Sequence, residues 1–374
     1  MKILIRQFLG KNHSWSVCGW GIATALKQMD HHVDLFSTDG IEHLPHSLKE
    51  NVIGYIENNT NKIIGSAATE KYDCQISYTS MKNFPHYLSS GSKNRFGIWC
   101  YEWAGENVLP TGFAKNYKFC DYLCAPSNFA KKVFLQSKIP EDVVKVIPHG
   151  INAENFRKTT KVKLNTNKKF KILCNIAQNH IRKNIPGILE AYGRAFSKND
   201  DVCLIIKGKE TPVKLPFDIS LNQCLIQFKS KYKNHAEIKL FNEFVDDISD
   251  LYRSVDATFS LSFCEGFLFP ALESIAAGKL VIAPNSGGQI DFLNSSNALL
   301  VNGKETRANP KSMYWESKPN AIWFEPSIDD AVNKLKYAYN NFSEINKEVE
   351  KQKEDVLDRY SWNNITKQFL SLCK

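Results

Sequence analysis

The sequence offers no window approaching the roughly 18 uninterrupted apolar residues of a membrane-spanning helix, although 43% of its 374 residues are hydrophobic. Nor does the opening stretch MKILIRQFLG, which turns polar at Lys11, have the basic, apolar and small-residue regions of a secretory leader. The expected location is the cytoplasm, including the inner face of the membrane. Cysteine is present ten times, yet without paired metal-ligand spacing. Cys120 and Cys124 stand close together with no matching Cys or His pair, so reduced thiols in apolar surroundings are the expectation. No D-x-D triplet stands at a strand end, where a divalent metal would be held, and Asp246-Asp247 reads as a helix opening instead. The dinucleotide fingerprint is incomplete as well. Gly19-Trp20-Gly21 is followed by Thr24 where a third glycine would be needed.

What the chain does have is length for two domains, ordinary globular composition, and an excess of cations giving a net charge of +9. That charge favours an acidic partner: an anionic membrane surface, a charged glycan or lipid, or nucleic acid. Strand, loop, helix and strand alternate from KILIRQF through HHVDLFS, with Gly19 and Gly21 read as a turn into an amphipathic helix. A second such unit starts at KILCNIA, and its helix IRKNIPGILEAYGRAF has apolar positions at Ile188, Leu189, Tyr192 and Phe196. Between them, the polar and basic run Arg157–Lys171 reads as a linker. Two Rossmann-like α/β domains are therefore expected over 1–160 and 161–345, followed by a helical segment over 346–374.

The most informative stretch is Asp256–Asn294, DATFSLSFCEGFLFPALESIAAGKLVIAPNSGGQIDFLN. A short apolar strand ends near Glu265. Pro270 suits the first turn of a helix and Gly278 the residue past its end, giving about two turns with Glu273 in the first. The backbone N–H groups of Gly266, Phe267 and Leu268 then face an anion at the helix start. A vicinal diol could be held by the Glu273 carboxylate. The plainer reading makes Glu273 a complement to the helix dipole and Glu265 a surface carboxylate.

Glu265-x7-Glu273 in EGFLFPALE, followed by GKLVIAPNSGG, resembles the donor-binding signature of retaining glycosyltransferases of family 4, the glycosyl transferases group 1. The resemblance implies the GT-B fold, with two Rossmann-like domains whose parallel sheets face a central cleft, and a final helix, here containing Ser361-Trp362, that crosses back onto the first domain. It implies a nucleoside-diphosphate sugar as donor, no cofactor and no required metal. Transfer to a hydroxyl of a glycan, polysaccharide or glycolipid with anomeric retention follows. By the same resemblance Glu265 lies against the donor sugar and Glu273 holds the ribose hydroxyls. Lys183 faces the diphosphate, and Arg182 stands in for an arginine that relatives carry near Gln178; both could equally be solvated cations at a helix entrance. Gly19 and Gly21 approach the donor, while the segment Phe241–Val245, including Phe244, runs beside the nucleobase. Glu102, in Tyr101-Glu102-Trp103, either orients and deprotonates the acceptor or binds it without proton transfer. His149 reads as structural. Two other classes stay open: a DNA-base glycosyltransferase of bacteriophage type, consistent with the basic charge, and a sugar-nucleotide-binding protein without turnover.

Overall fold

The computed structural model describes the chain except residues 12, 59, 67–70, 89–90, 178–179, 209–214 and 313–319. It divides into two compact units: Met1–Tyr101 with Gly105–Asn152 and Asp358–Lys374, and Glu102–Ala104 with Ala153–Leu357. The division thus falls after Asn152 rather than at residue 160, and the return to the first unit begins at Asp358 rather than at 346. No helix among the described residues is long and apolar enough to cross a membrane.

The first unit is built on strands β1 (Lys2–Gln7), β2 (His32–Ser37), β3 (Val52–Ile56), β4 (Ile63–Gly65), β5 (Cys74–Tyr78), β6 (Asn94–Ile98), β7 (Tyr122–Ala125) and β8 (Val144–Val146). They form one sheet in the order β4-β3-β2-β1-β5-β6-β7-β8, parallel except for the β3–β4 pair. Every residue of β5 is buried, which suits a continuous apolar run in a parallel sheet covered on both faces. Helices α1 (Ser14–Gln28), α2 (Phe84–Tyr87) and α3 (Asn128–Gln136) join the strands. Ser127 caps α3, its side chain accepting from Ala130 N at 3.1 Å.

Helix α1 corrects the expected glycine turn. It starts at Ser14, where His13 Nδ1 accepts from Ser16 N at 3.4 Å, so Gly19 and Gly21 lie inside it. Their use is close packing: a Cβ on Gly19 would sit 2.5 Å from Gln7 Nε2, and one on Gly21 would run into the Trp362 indole. That indole belongs to the C-terminal helix Trp362–Ser371, capped by Ser361, and also lies 2.6 Å from where a Cβ on Gly150 would be. His149 is buried against Tyr78, whose hydroxyl is 3.0 Å from His149 Nε2, and burial pushes the imidazole down to about 3.

In the second unit, β9 (Phe170–Ala177), β10 (Val202–Gly208), β11 (Glu237–Phe241), β12 (Ala257–Phe259), β13 (Leu280–Pro284) and β14 (Ala298–Val301) form an all-parallel sheet in the order β11-β10-β9-β12-β13-β14. Its connecting helices are α4 (Ala153–Arg157), α5 (Ile185–Ala195), α6 (Leu221–Lys231), α7 (Ile248–Arg253), α8 (Phe269–Ala276) and α9 (Ile328–Arg359), the last kinked at Asn341. Ile172, Leu204 and Ile282 of the sheet share one core with Ile188, Leu189 and Tyr192 of α5 and Leu335 of α9. Each such buried aliphatic side chain contributes about 1.5–3 kcal/mol. The stretch after Asn294, irregular by sequence, contains an antiparallel pair, β15 (Gly303–Arg307) with β16 (Ile322–Pro326). The basic run read as a linker is instead fastened to α7: Val162 N donates to Ser254 Oγ at 2.8 Å, Arg253 Nε to Thr160 O at 2.8 Å, and Thr160 Oγ1 to Asp250 at 2.7 Å.

Candidate active site

The chain leaves β9 toward one side of the second sheet and β12 toward the other, so the carboxyl ends of these neighbours open a crevice of the kind that receives ligands in doubly wound sheets. Two loops meet there. Phe263 N donates to Arg182 O at 2.8 Å and Asn184 Nδ2 to Leu261 O at 3.1 Å, tying the loop after β9 to the loop after β12. Three non-glycine residues beside the crevice have left-handed backbone: Ala177 (φ +54°), Asn184 (φ +53°) and Leu268 (φ +65°). Such conformations cost about 1–3 kcal/mol each and persist where the surroundings enforce them. Asn184 recovers part of that cost by capping α5, its Oδ1 accepting from Gly187 N at 3.1 Å.

These loops bring four charged side chains together. Glu265 Oε1 accepts from Lys183 Nζ at 2.6 Å and lies 2.9 Å from Arg182 Nη1. Arg182 Nη2 reaches Glu102 Oε1 at 3.3 Å, so one guanidinium serves two carboxylates. Arg182 Nη1 also donates to Cys264 O at 3.2 Å. Glu265 and Arg182 are 6% and 8% exposed, which removes the reading of either as a solvated surface charge. Burial opposes the Glu265 carboxylate, but Arg182 and Lys183 outweigh it and hold its pKa at about 2. For Glu102 the balance reverses. Burial raises its pKa, Arg182 lowers it less, and the neighbouring Glu265 raises it further. Glu102 enters this unit because residues 102–104 are drawn into it: Ala104 and Ile322 exchange both backbone hydrogen bonds, at 3.1 and 2.9 Å.

His180 is a member of the site that the sequence reading missed. Its Nδ1 accepts from Arg182 N at 3.0 Å and its ring stacks on Phe217 with centroids 4.9 Å apart. Burial, then the two cations, press its pKa down to about 3. The imidazole is therefore neutral with its proton on Nε2. A histidine two residues ahead of a basic pair at a strand end was the available signal.

Glu265 lies six residues beyond β12, in the loop rather than at the strand edge, and Glu273 is the fifth residue of α8 rather than a member of its first turn. A carboxylate there does not complement the helix dipole. Instead it meets the buried Tyr252 hydroxyl, to which Asn175 Nδ2 donates at 3.1 Å. Burial pushes Glu273 up to about 7, with the Tyr252 contact acting against it. Asn175 and Tyr252 were also missed; neither residue type at its position signals a role by spacing alone.

Gly266, Phe267 and Leu268 form the approach to α8, and Gly288 N donates to Glu265 O at 2.9 Å, closing the loop from its far side. Phe244 is 67% exposed in the segment after β11, whereas Phe241 is buried under the Lys207 ammonium, 5.2 Å from its ring centre. Gly19 and Gly21 belong to the other unit. Gln178 lies outside the described residues. Among the described residues, no group of three or more His, Cys, Asp or Glu could hold a metal ion.

Comparison with known proteins agrees with this geometry. Residues 156–341, nearly the whole second unit, match the family described as glycosyl transferases group 1. An uncharacterized glycosyltransferase of Methanocaldococcus jannaschii is 24% identical over 276 residues, 70% of this chain and 62% of the relative's own length. Among solved structures, a glycosyltransferase from Rickettsia africae superposes with a TM-score of 0.70 at 19% identity, covering 100% of this chain and 98% of that one. Anabaena HepE, solved in complex with UDP and glucose, gives 0.69 at 15% identity over 99% and 98%. The chain therefore has the GT-B fold and belongs, through residues 156–341, to the glycosyl transferases group 1 family.

Proposed function

We propose that the protein is a glycosyltransferase that moves a sugar from a nucleoside-diphosphate donor to a hydroxyl of a glycan, polysaccharide or glycolipid, with retention at the anomeric carbon. The observation that carries this reading is the Lys183–Glu265–Arg182 cluster at the carboxyl ends of β9 and β12, with Glu273 on the adjoining helix. Arg182 and Lys183 are two fixed cations where a leaving diphosphate gains charge, and preorganised charge of this kind stabilises departure without reorganisation. Glu265, kept ionised by them, is suited to accept from sugar hydroxyls. Glu273 is suited to the ribose diol. Glu102, raised and sharing Arg182, is suited to receive or orient the acceptor proton. HepE binding UDP and glucose supports a nucleoside-diphosphate sugar as the donor class.

Incubating the purified protein with a panel of nucleotide sugars and glycan acceptors, read by mass spectrometry, tests the proposal. Transfer is expected with at least one donor, and NMR of the product should show the donor's anomeric configuration. Tight binding without transfer or hydrolysis would favour a binding protein. Activity is expected to survive EDTA, because the two cations occupy the electrostatic role of a metal. Loss with rescue by magnesium or manganese would overturn that part.

A further inference from the structure

We propose that Cys74 and Cys373 are a redox modification site of the first unit, closing into a reversible disulfide when a low-molecular-weight disulfide such as glutathione disulfide is the oxidant. The two thiols are far apart in sequence and in hydrogen-bond contact in space. Cys74 sits on β5, fully buried between β1 and β6. Cys373, the residue before the last, is half-buried and has its Sγ 3.7 Å from Phe369 O.

This meeting is held by more than the sulfurs. Lys374 N donates to Asn94 Oδ1 at 3.1 Å, and Asn94 stands in register with Cys74 on the neighbouring strand. Asn94 is itself buried and fixed, its Nδ2 donating to Asp73 O at 3.0 Å. One turn back, Phe369 meets Phe96 edge to face with centroids 5.6 Å apart. The terminal segment is thus docked beside β5 and β6 by an aromatic contact and a buried amide, and the sulfurs face each other as a consequence.

Their chemistry is unequal in a useful direction. Burial pushes Cys120 and Cys174 up to about 12 and leaves them inert, and it acts likewise on Cys74, after the bond to Cys373. Cys373 shifts the other way, because it accepts from the Cys74 thiol. The more exposed sulfur is therefore the readier thiolate. It attacks one sulfur of the oxidant, forming a mixed disulfide and releasing one thiolate. Cys74 then loses its proton to water and attacks Cys373 Sγ; the Cys74–Cys373 bond forms and a second small thiolate leaves and is protonated. Two protein thiols are oxidised and one small disulfide is reduced to two thiols.

The test uses the full chain in a series of reduced-to-oxidised glutathione ratios, with acid quenching, alkylation and non-reducing peptide mapping. A crosslinked peptide pair containing Cys74 and Cys373 is expected, with two alkylatable thiols lost per chain and both recovered by dithiothreitol. Cys373→Ser should abolish that loss. Cys373 stopping as a glutathione adduct while Cys74 stays alkylatable would overturn the proposal, as would a Cys373-linked dimer. Because Cys74 is in the core and its replacement can impair folding, the mapping of the unaltered protein decides the matter.

Discussion

Replacing Arg182 by methionine probes the charge cluster most directly, since one guanidinium serves both Glu102 and Glu265. The Glu265 carboxyl falls from 4.5 to about 2 in the folded chain, which corresponds to about 3 kcal/mol of stability at neutral pH. Breaking a buried pair costs about 3–5 kcal/mol, and because Lys183 stays on Glu265 the lower end applies, about 3 kcal/mol at pH 7. The sign with pH follows from the lowered value. A depressed carboxyl contributes stability present above about 4.5 and lost as pH falls through about 2, so the unaltered protein weakens across that window. In Arg182→Met the Glu265 value rises back toward 4.5, and less remains to be lost. Glu102, already raised, rises further in the variant and favours its low-pH form. Both effects narrow the gap between the two proteins to about 1 kcal/mol at pH 3. Urea unfolding by circular dichroism at pH 7 and pH 3 measures this. A gap that stays constant with pH, or is below 1 kcal/mol at pH 7, would refute the assignment of Arg182 as the shared counter-charge.

Glu273→Ala should weaken nucleoside-diphosphate binding by about 1.5–3 kcal/mol; and because burial raises Glu273 to about 7, the affinity of the unaltered protein, measured by calorimetry, should increase from pH 6 to pH 8 while the variant stays flat. Lys183→Ala should reduce turnover by about two to three orders of magnitude with a smaller loss of nucleotide affinity, and near-normal turnover would show that the leaving group lies elsewhere. Gly21→Ala gains up to about 1 kcal/mol of helix propensity but drives a methyl group into the Trp362 ring, so thermal melting should show net destabilisation. Trp362→Ala in that background should show strong coupling, and a stabilised Gly21→Ala would contradict the packing.

Local rules in the sequence went furthest where one segment carried its own instructions. Asn184, Pro186 and the stripe Ile188, Leu189 and Tyr192 announce α5 before any partner is known. They failed where a distant group supplies the reason. Gly19-Trp20-Gly21 resembles a turn because the residue that needs its missing side chains, Trp362, stands more than 300 positions away. The basic run after Arg157 looks solvated, yet its backbone and hydroxyls are satisfied by Asp250, Arg253 and Ser254. Likewise the left-handed Leu268 sets where α8 begins, and a leucine gives no sign of that conformation. At the site, acidic and basic residue types were visible. That Arg182 bridges two carboxylates, and that Glu102 is drawn into the second unit by a backbone pairing with Ile322, depends on contacts that no spacing encodes.

The composition of the first unit from both ends of the chain has a consequence for biosynthesis. Apart from residues 102–104, the second unit is one continuous stretch, Ala153–Leu357, so all its strands have emerged before the Trp362 helix is made. The first unit has its eight strands early but lacks the indole that Gly21 and Gly150 are shaped to receive until the final residues appear. From Asn152 to Lys374 is 374 − 152 = 222 residues, which at about 5–20 residues per second is about 10–45 s of elongation. During that interval α1 presents an uncovered seam to the cell. The earlier-made half of the protein is thus completed last.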